Sequence, residues 1–425
     1  MPSFQPLPGF VDLLPEDAAR MRHLEETART LFERCGYREI RPPLVEDAAL
    51  FERTSGATSD IVQKQMFSIP SRDDAGAFVL RPEGTPGVFR AYLEAGYAKT
   101  NPFQKFFYLG PMFRYERPQK GRQRQFHQIG IEAIGSPDPH LDAEIVYLGY
   151  RFYEAVGLRQ VTVLLNSIGC AACRPAYLQT LRNALTASLD TLCALCRDRF
   201  GRNVLRILDC KNAPCTQAVA QAPRIADSLC DDCRSHDRAF RIALKAGLPI
   251  SEAPRLVRGL DYYTRTVFEY HHPGLGARSA VGAGGRYDGL GERLGGSAIP
   301  AVGFAIGVEA TLLALEAEGK LPEPGGAGGI FVVYVDRDCR TDAYRLTEGL
   351  RNAGVTADLD HMGRSLKSQM KAADARGAHE IWILGPDEIS AGTVKIKRLS
   401  DGSEKTLPVV EAISHASRAP ADAPR

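Results

Sequence analysis

A chain of 425 residues with 44% apolar and 24% charged side chains has room for roughly two to four domains and the make-up of an ordinary soluble globular protein. Fifty-three Lys and Arg against 51 Asp and Glu leave it nearly neutral; this excludes a global basic field, so any nucleic-acid contact has to come from local patches. No apolar run approaches the ~20 residues of a membrane helix, and the start M-P-S-F-Q-P-L-P-G-F lacks the basic stretch and apolar core of a signal peptide, so a cytoplasmic protein with no membrane contact is expected.

Residues 16–35 place Met21, Leu24, Ala28, Leu31 and Phe32 at helical spacing, and Gly36 follows as a stop. Y-R-E-I-R-P-P-L-V-E (37–46) then alternates towards a strand, and its proline pair belongs at a sheet edge or an interface. After F-V-L comes Arg81-Pro82-Glu83-Gly84-Thr85-Pro86. The Glu83 carboxylate and Thr85 hydroxyl suit a ligand ammonium; a turn with a helix cap fits the same residues.

Residues 101–135 read as a β-hairpin, with K-F-F-Y-L-G-P-M-F-R-Y-E leading in and Q-F-H-Q-I-G-I-E-A-I-G leading back. Arg117, Lys120, Arg122 and Arg124 crowd its loop, a pattern that an ordinary solvated tip also shows. Arg114, however, lies in a strand between aromatics, where an unpaired charge is costly. It calls for an anionic partner, and phosphate suits the guanidinium fork. Glu116, Arg122, Phe126, Gln128 and Glu132 share the hairpin.

Segment 166–250 interrupts the β-rich material and reads as an insertion. It carries eight of the ten cysteines, as Cys170-x2-Cys173, Cys193-x2-Cys196, Cys210-x4-Cys215 and Cys230-x2-Cys233. Short pairs in a reducing compartment fit metal ligation better than a disulfide framework, and three C-x2-C units resemble zinc-knuckle ligands. Eight thiolates fill two closed sites of four or one site with spares; the spacing does not partition them, and free thiols remain an alternative.

Leu256–Glu269, L-V-R-G-L-D-Y-Y-T-R-T-V-F-E, sets Arg258 and the pair Tyr262 and Tyr263 ahead of a β-prone run. An arginine beside two aromatics suits a charged oxyanion next to a flat polar ring, although a surface strand with ordinary aromatics fits it alone. G-A-G-G-R-Y-D-G-L (282–290) permits close approach to a ligand or a tight turn, and it matches neither nucleotide-binding glycine motif. A-V-G-F-A-I-G-V-E (301–309) leads into a helix, a pattern that core packing alone explains. The linker L-P-E-P-G-G-A-G-G (321–329) follows. Beyond it, strands and helices alternate as in a small α/β domain with a partly parallel sheet.

In this order the segments resemble the histidyl-tRNA synthetases, a family of class II aminoacyl-tRNA synthetases, over nearly the whole chain. P-G-F-V-D-L-L-P matches the family's start, G-Y-R-E-I-R-P-P-L with Pro43 resembles motif 1, F-R-Y-E motif 2 and G-F-A-I-G-V-E motif 3. R-P-E-G-T and R-G-L-D-Y-Y-T-R-T-V-F-E resemble the histidine-recognition signatures.

The resemblance implies an α+β fold: a class II synthetase antiparallel sheet of six strands with helices, an inserted cysteine-rich domain, and a C-terminal α/β anticodon-binding domain. The expected boundaries are 1–165 and 251–320 for the catalytic core, 166–250 for the insertion, 330–412 for the anticodon-binding domain and 413–425 for a flexible tail. It also implies a homodimer formed through motif 1, Mg²⁺ with ATP, and transfer of L-histidine to histidine tRNA through a histidyl-adenylate.

By the same resemblance Glu83, Thr85 and Gln128 hold the histidine ammonium, and Glu132, Tyr263 and Tyr287 surround the imidazole with Tyr262 beside them. Arg114 and Arg258 flank the α-phosphate as the catalytic pair, Arg258 also lying within the histidine site. Arg122 takes the outer phosphates, Phe126 stacks on adenine and Glu116 holds Mg²⁺. Structural zinc on Cys170, Cys173, Cys193, Cys196, Cys210, Cys215, Cys230 and Cys233 is expected from their spacing and not from the resemblance.

One position departs from the pattern. Motif 3 ordinarily ends Glu-Arg, and here it reads Glu309-Ala310-Thr311. Loss of that arginine removes a cation–π partner and a phosphate donor, with Arg293 as a candidate replacement. The departure also keeps open a second expectation, a synthetase-like regulatory subunit of ATP phosphoribosyltransferase, against which the complete motif 2, the histidine signatures and the C-terminal domain stand.

Overall fold

The structure, a computed structural model, describes residues 4–56, 59, 61–70, 76–244, 247–323 and 328–418. The chain forms two compact units, Met1–Pro322 and Glu323–Arg425.

The first unit contains β1 (Arg38–Glu39), β2 (Val45–Asp47), β3 (Phe67–Ile69), β4 (Phe78–Leu80), β5 (Gln104–Phe113), β6 (Gln125–Ile134), β7 (Thr162–Ser167), β8 (Ile250–Glu252), β9 (Thr264–His271), β10 (Ala280–Arg286) and β11 (Ala301–Gly307). Eight of these make one sheet in the order β1-β5-β6-β11-β10-β9-β7-β8. Its centre is the expected run of six antiparallel strands, β5 through β7. A short parallel strand closes each edge, β1 on β5 and β8 on β7, so the whole sheet is mixed. The proline-rich stretch after Gly36 thus supplies an edge strand, where missing N–H donors are tolerated. Strands β2, β4 and β3 form a separate small sheet.

Side-chain alternation divides the large sheet into two faces. Phe107, Ile129, Ile131, Val302, Phe304 and Ile306 point into a core with the helices Pro15–Arg34, Pro139–Ala155 and Val308–Ala317. The first of these helices starts with Pro15 and carries Glu16 and Asp17 in its first turn, which favours nucleation at that end. It buries Met21, Leu24, Ala28 and Phe32. Complete burial of a side chain such as Phe32 is worth about 1.5–3 kcal/mol. The opposite face carries Phe106, Tyr108 and Met112, under the helix Thr85–Glu94 and the cysteine-bearing segment. Among its described residues that segment has four α-helices, Arg174–Thr186, Ala194–Arg202, Ala213–Ala220 and Asp231–Ala243, joined by short 3₁₀ turns. Its Tyr177, Leu181 and Cys196 share one apolar cluster with Tyr262, Tyr263 and Val267.

The second unit contains β12 (Ile330–Tyr334), β13 (Ala357–Leu359), β14 (Glu380–Leu384), β15 (Thr393–Arg398) and β16 (Glu404–Pro408), in the order β13-β12-β14-β15-β16. The first three are parallel and the last two pairings antiparallel. All five residues of β12 are buried, as a strand covered on both faces requires. The C-terminus differs from expectation: residues 413–418 do not fray but complete the helix Val409–Arg418, whose Ala412 is buried. The apolar positions Val409, Ile413 and Ala416 pack on the domain core, giving this helix a face that composition hides. The remaining tail, 419–425, and the middle of the linker, 324–327, lie outside the described residues.

Candidate active site

Alternation along β6 places Phe126, Gln128, Gly130 and Glu132 on one face, away from the helical core. In register beside them, β11 sets Gly303 opposite Glu132 and Gly307 opposite Gln128. A Cβ at Gly303 would overlap the Glu132 carboxylate and the Ile131 carbonyl, so only glycine leaves Glu132 its place.

Glu132 is buried, with a carboxylate that accepts from Thr85 Oγ1 at 2.5 Å and from the Tyr287 hydroxyl. Glu83, also buried, accepts from Ser55 Oγ at 2.6 Å and from the Tyr262 hydroxyl at 2.8 Å. The Tyr262 and Tyr263 rings lie 4.7 Å apart, and Tyr262 meets Tyr287 edge-on at 5.7 Å. Segments far apart in the chain therefore converge on two carboxylates. Thr85 opens its helix, but Gly84 is the cap residue and the Thr85 hydroxyl serves Glu132. Its role as a cap is thereby excluded.

Burial pushes Glu132 up to about 8, with the Glu83 charge adding and the Thr85 and Tyr287 hydrogen bonds opposing. Burial likewise raises Glu83, against Ser55, Arg114, Tyr262 and Arg258, and pushes Tyr263 up to about 12. The consequence for Glu132 is testable. Its ordinary value is 4.5, so between 4.5 and about 8 the folded protein keeps a proton that the unfolded chain releases. Stability then falls as the pH rises through this window, and the loss is complete above it. Glu132→Gln has no proton to lose. The ligand-free variant is expected to gain Tm over the parent by a margin that grows from about pH 5 to about pH 9. A margin that stays flat with pH in thermal melts would refute the shift.

Beside this polar pocket stand the arginines. Arg114 Nε donates to the Pro82 carbonyl at 2.8 Å, and its guanidinium lies 5.3 Å from the Phe126 ring centre. Arg258 lies 5.9 Å from the Tyr263 ring and pairs with Glu269, whose second oxygen meets His271 Nε2 at 2.7 Å. Burial works against the Arg258 charge, but Glu269 together with Tyr263 and Tyr262 offsets this and holds the guanidinium above its ordinary value. Arg258 and Tyr263 also line a cavity of about 220 Å³ with Arg174, Arg182 and Asp261. Arg122 and Glu116 bond to each other at 2.5 Å on the hairpin loop. Among the described residues Gln128 Oε1, Tyr108 Oη and Arg258 Nε are buried with no partner. Orphaned polar atoms are rare in folded proteins, and three around one pocket mark room for a polar ligand.

In motif 3, Glu309 clamps β6, accepting from the His127 backbone N–H at 3.0 Å and meeting its ring nitrogen at 2.9 Å. Ala310 packs against the helical core. Arg293 is held by the carbonyls of Thr54 at 3.1 Å and Asp261 at 2.8 Å.

Sequence patterns pass over several residues here. Ser55 sits on Glu83; Tyr108 fills the space over Gly130, its partner in register; Glu269 neutralises Arg258. Asp142 is buried and joins Arg286, His236 (2.8 Å) and Thr266 (2.7 Å) next to Tyr287. Only the glycine opposite Tyr108 could have signalled any of these. The eight cysteines gather as Cys170, Cys173, Cys230 and Cys233 in one group and Cys193, Cys196, Cys210 and Cys215 in another.

Comparison with known proteins gives a consistent result. A family model described as histidyl-tRNA synthetase matches residues 9–311, and an anticodon binding domain model matches 329–418. A protein named histidine–tRNA ligase from Moorella thermoacetica is 47% identical, with 96% of both chains covered. One of the same name from Geobacter sulfurreducens is 45% identical over 94% of this chain and 96% of its own. The crystal structure of apo histidyl-tRNA synthetase from S. aureus superposes with a TM-score of 0.82 at 33% identity, covering 98% of this chain and all of that one. A Bacillus halodurans structure, titled as an ATP phosphoribosyltransferase regulatory subunit/histidyl-tRNA synthetase, shares the fold at 21% identity with a TM-score of 0.65 over 90% and 98% of the two chains.

Proposed function

The chain belongs to the histidyl-tRNA synthetase family, and from that premise we propose that it joins L-histidine to histidine tRNA at the expense of ATP. The observation that carries this reading is the meeting of Glu83, Thr85, Glu132, Tyr262 and Tyr287 in one buried polar pocket beside Arg114 and Arg258.

Histidine enters with its ammonium on Glu83, Thr85 and Gln128, whose orphaned Oε1 gains a donor. Its imidazole lies among Glu132, Tyr263 and Tyr287. Groups that hydrogen-bond a substrate N–H reject apolar analogues strongly, because they would otherwise stay buried and unpaired. The histidine carboxylate attacks the α-phosphorus of ATP, and pyrophosphate leaves. Negative charge grows on the α-phosphate oxygens, where Arg114 and Arg258 are already in place; preorganised cations help most in the transition state. Arg122 leaves Glu116 for the outer phosphates, and Phe126 stacks on adenine with Arg114 over its other side. The freed Glu116 would offer the hard oxygen ligand that Mg²⁺ prefers, and an ion held there would neutralise charge on the outer phosphates. The terminal ribose hydroxyl of the tRNA then attacks the acyl carbon, and AMP leaves.

Homodimerisation through motif 1, which runs from β1 to the exposed Leu44 and Val45 at the start of β2, and a cytoplasmic location complete the proposal. Among the described residues no helix is long and apolar enough to cross a membrane. Structural zinc in the cysteine-bearing helices takes no part in either chemical step.

Histidine-dependent ATP–pyrophosphate exchange followed by charging of histidine tRNA tests the reading. Exchange without charging would mark a repurposed enzyme, and absence of exchange a regulatory protein, the alternative that Ala310 alone favours. Ala310→Arg is expected to lower the ATP KM by about tenfold, restoring a phosphate donor and a cation–π contact. Steady-state kinetics giving an unchanged ATP KM would show that another residue already supplies them.

A further inference from the structure

We infer that the cysteine-bearing helices hold two separate structural zinc ions, each in a closed site of four thiolates, and that the first ion also positions the histidine pocket. Cys170, Cys173, Cys230 and Cys233 form one site, and Cys193, Cys196, Cys210 and Cys215 the other; within each, all four sulfurs lie within 4.8 Å of one another.

The spacing fits one tetrahedral ion per site, and zinc is the redox-inert ion that such closed thiolate sites hold. Tetrahedral zinc with Zn–S bonds of about 2.3 Å sets its sulfurs about 3.8 Å apart. In the first site the Cys170–Cys173 and Cys170–Cys230 sulfurs are 3.8 Å apart, and the Cys173–Cys233 sulfurs 3.9 Å. Disulfides need about 2.05 Å. A four-iron cluster binds each thiolate to a different iron and spreads the sulfurs more widely than this. Backbone N–H groups donate to sulfur in both sites, Cys170 to Cys173 and Cys193 to Cys215, each at 3.2 Å. Such outer hydrogen bonds fix thiolate ligands. Cys173, Cys193 and Cys230 each stand at the cap of a helix, where the dipole favours a negative sulfur. In each site two cysteines are half-buried and two buried, an environment in which four unligated thiols would pair poorly.

The two sites differ in what they hold. The first ties the chain just after β7 to the start of the helix Asp231–Ala243. One turn along that helix, His236 Nε2 meets the buried Asp142 at 2.8 Å. Asp142 grips Arg286 through two guanidinium nitrogens, and the next residue, Tyr287, donates to Glu132. Arg174, directly after Cys173, donates to the Tyr263 carbonyl at 2.6 Å. The first ion therefore anchors the backbone on two sides of the pocket. The second joins helices within the inserted segment, with Asn203 to Asp261 at 3.0 Å as a side-chain link to the histidine signature.

Metal analysis of the full chain, purified without chelator, decides the inference. Two zinc ions per chain are expected, released together with the blocking of eight thiols when a mercurial reagent is titrated in. No metal, one zinc, or iron in place of zinc would overturn it. Cys173→Ser/Cys233→Ser and Cys196→Ser/Cys215→Ser are each expected to retain one ion. The first pair should raise the histidine KM by about tenfold, as removal of a coupled anchor does, and the second by less than about twofold. Equal KM effects, or a larger one from the second pair, would overturn the positioning role. The ion count is independent of the proposed ligase activity, whereas the KM comparison rests on it. Where a variant fails to fold, the metal content of the unaltered chain still decides between two ions and fewer.

Discussion

Arg258→Ala is expected to cut histidine-dependent ATP–pyrophosphate exchange by about 10²–10³-fold, the usual cost of removing one preorganised donor from developing charge. The fall should lie mainly in kcat, because charge on the α-phosphate builds during displacement and not on binding. The fold should survive. Glu269 loses the guanidinium but keeps His271 at 2.7 Å, so its carboxylate is not left without a partner. The pairing has a use of its own: Glu269 holds Arg258 charged and in place until a stronger anion arrives. Arg258→Lys keeps the charge but not the planar fork, and should recover only part of the activity. With one family cation already missing at Ala310, Arg258 carries more of the electrostatic stabilisation. Exchange within a few-fold of the parent in a folded Arg258→Ala protein would remove Arg258 from the chemistry.

Glu132→Ala should act on a different parameter. It deletes the acceptor proposed for the imidazole and strands two buried donors, Thr85 Oγ1 and the Tyr287 hydroxyl. A lost hydrogen bond to a charged group is worth roughly 1.5–3 kcal/mol, about ten- to hundredfold, expected as a rise in histidine KM with the ATP KM little changed. The stranded donors weaken the free and the liganded protein alike and show as a lower Tm. Glu132→Gln should be milder, since the amide oxygen can still accept. An unchanged histidine KM in Glu132→Ala would move the imidazole elsewhere.

Much of this site is legible in the amino-acid order alone. Glu83, Thr85, Arg114, Glu132 and Arg258 stand in short segments whose spacing and company are unusual. Arg114 between aromatics calls for an anion on solvation grounds alone. The edge strand after Gly36 follows from two prolines, and the parallel β12 from an unbroken apolar run. The helix Val409–Arg418 does not follow, because its Ala- and Ser-rich end conceals an apolar face that only packing on the domain core makes useful.

What the chain determines by itself is therefore local: which residues share a strand face, which start a helix, and which carry a chemistry suited to histidine and phosphate. These follow from periodicities of two and 3.6 residues that act over a few positions. Only the tertiary structure decided the division of eight cysteines into two tetrads, the pairing of Arg258 with Glu269, and the Asp142–Arg286–His236 junction behind Tyr287. The physical reason is range. Asp142 and Arg286 are 144 positions apart, and their meeting depends on strand order and on which faces pack together. Those are set by the burial of the whole core and by no short stretch of sequence.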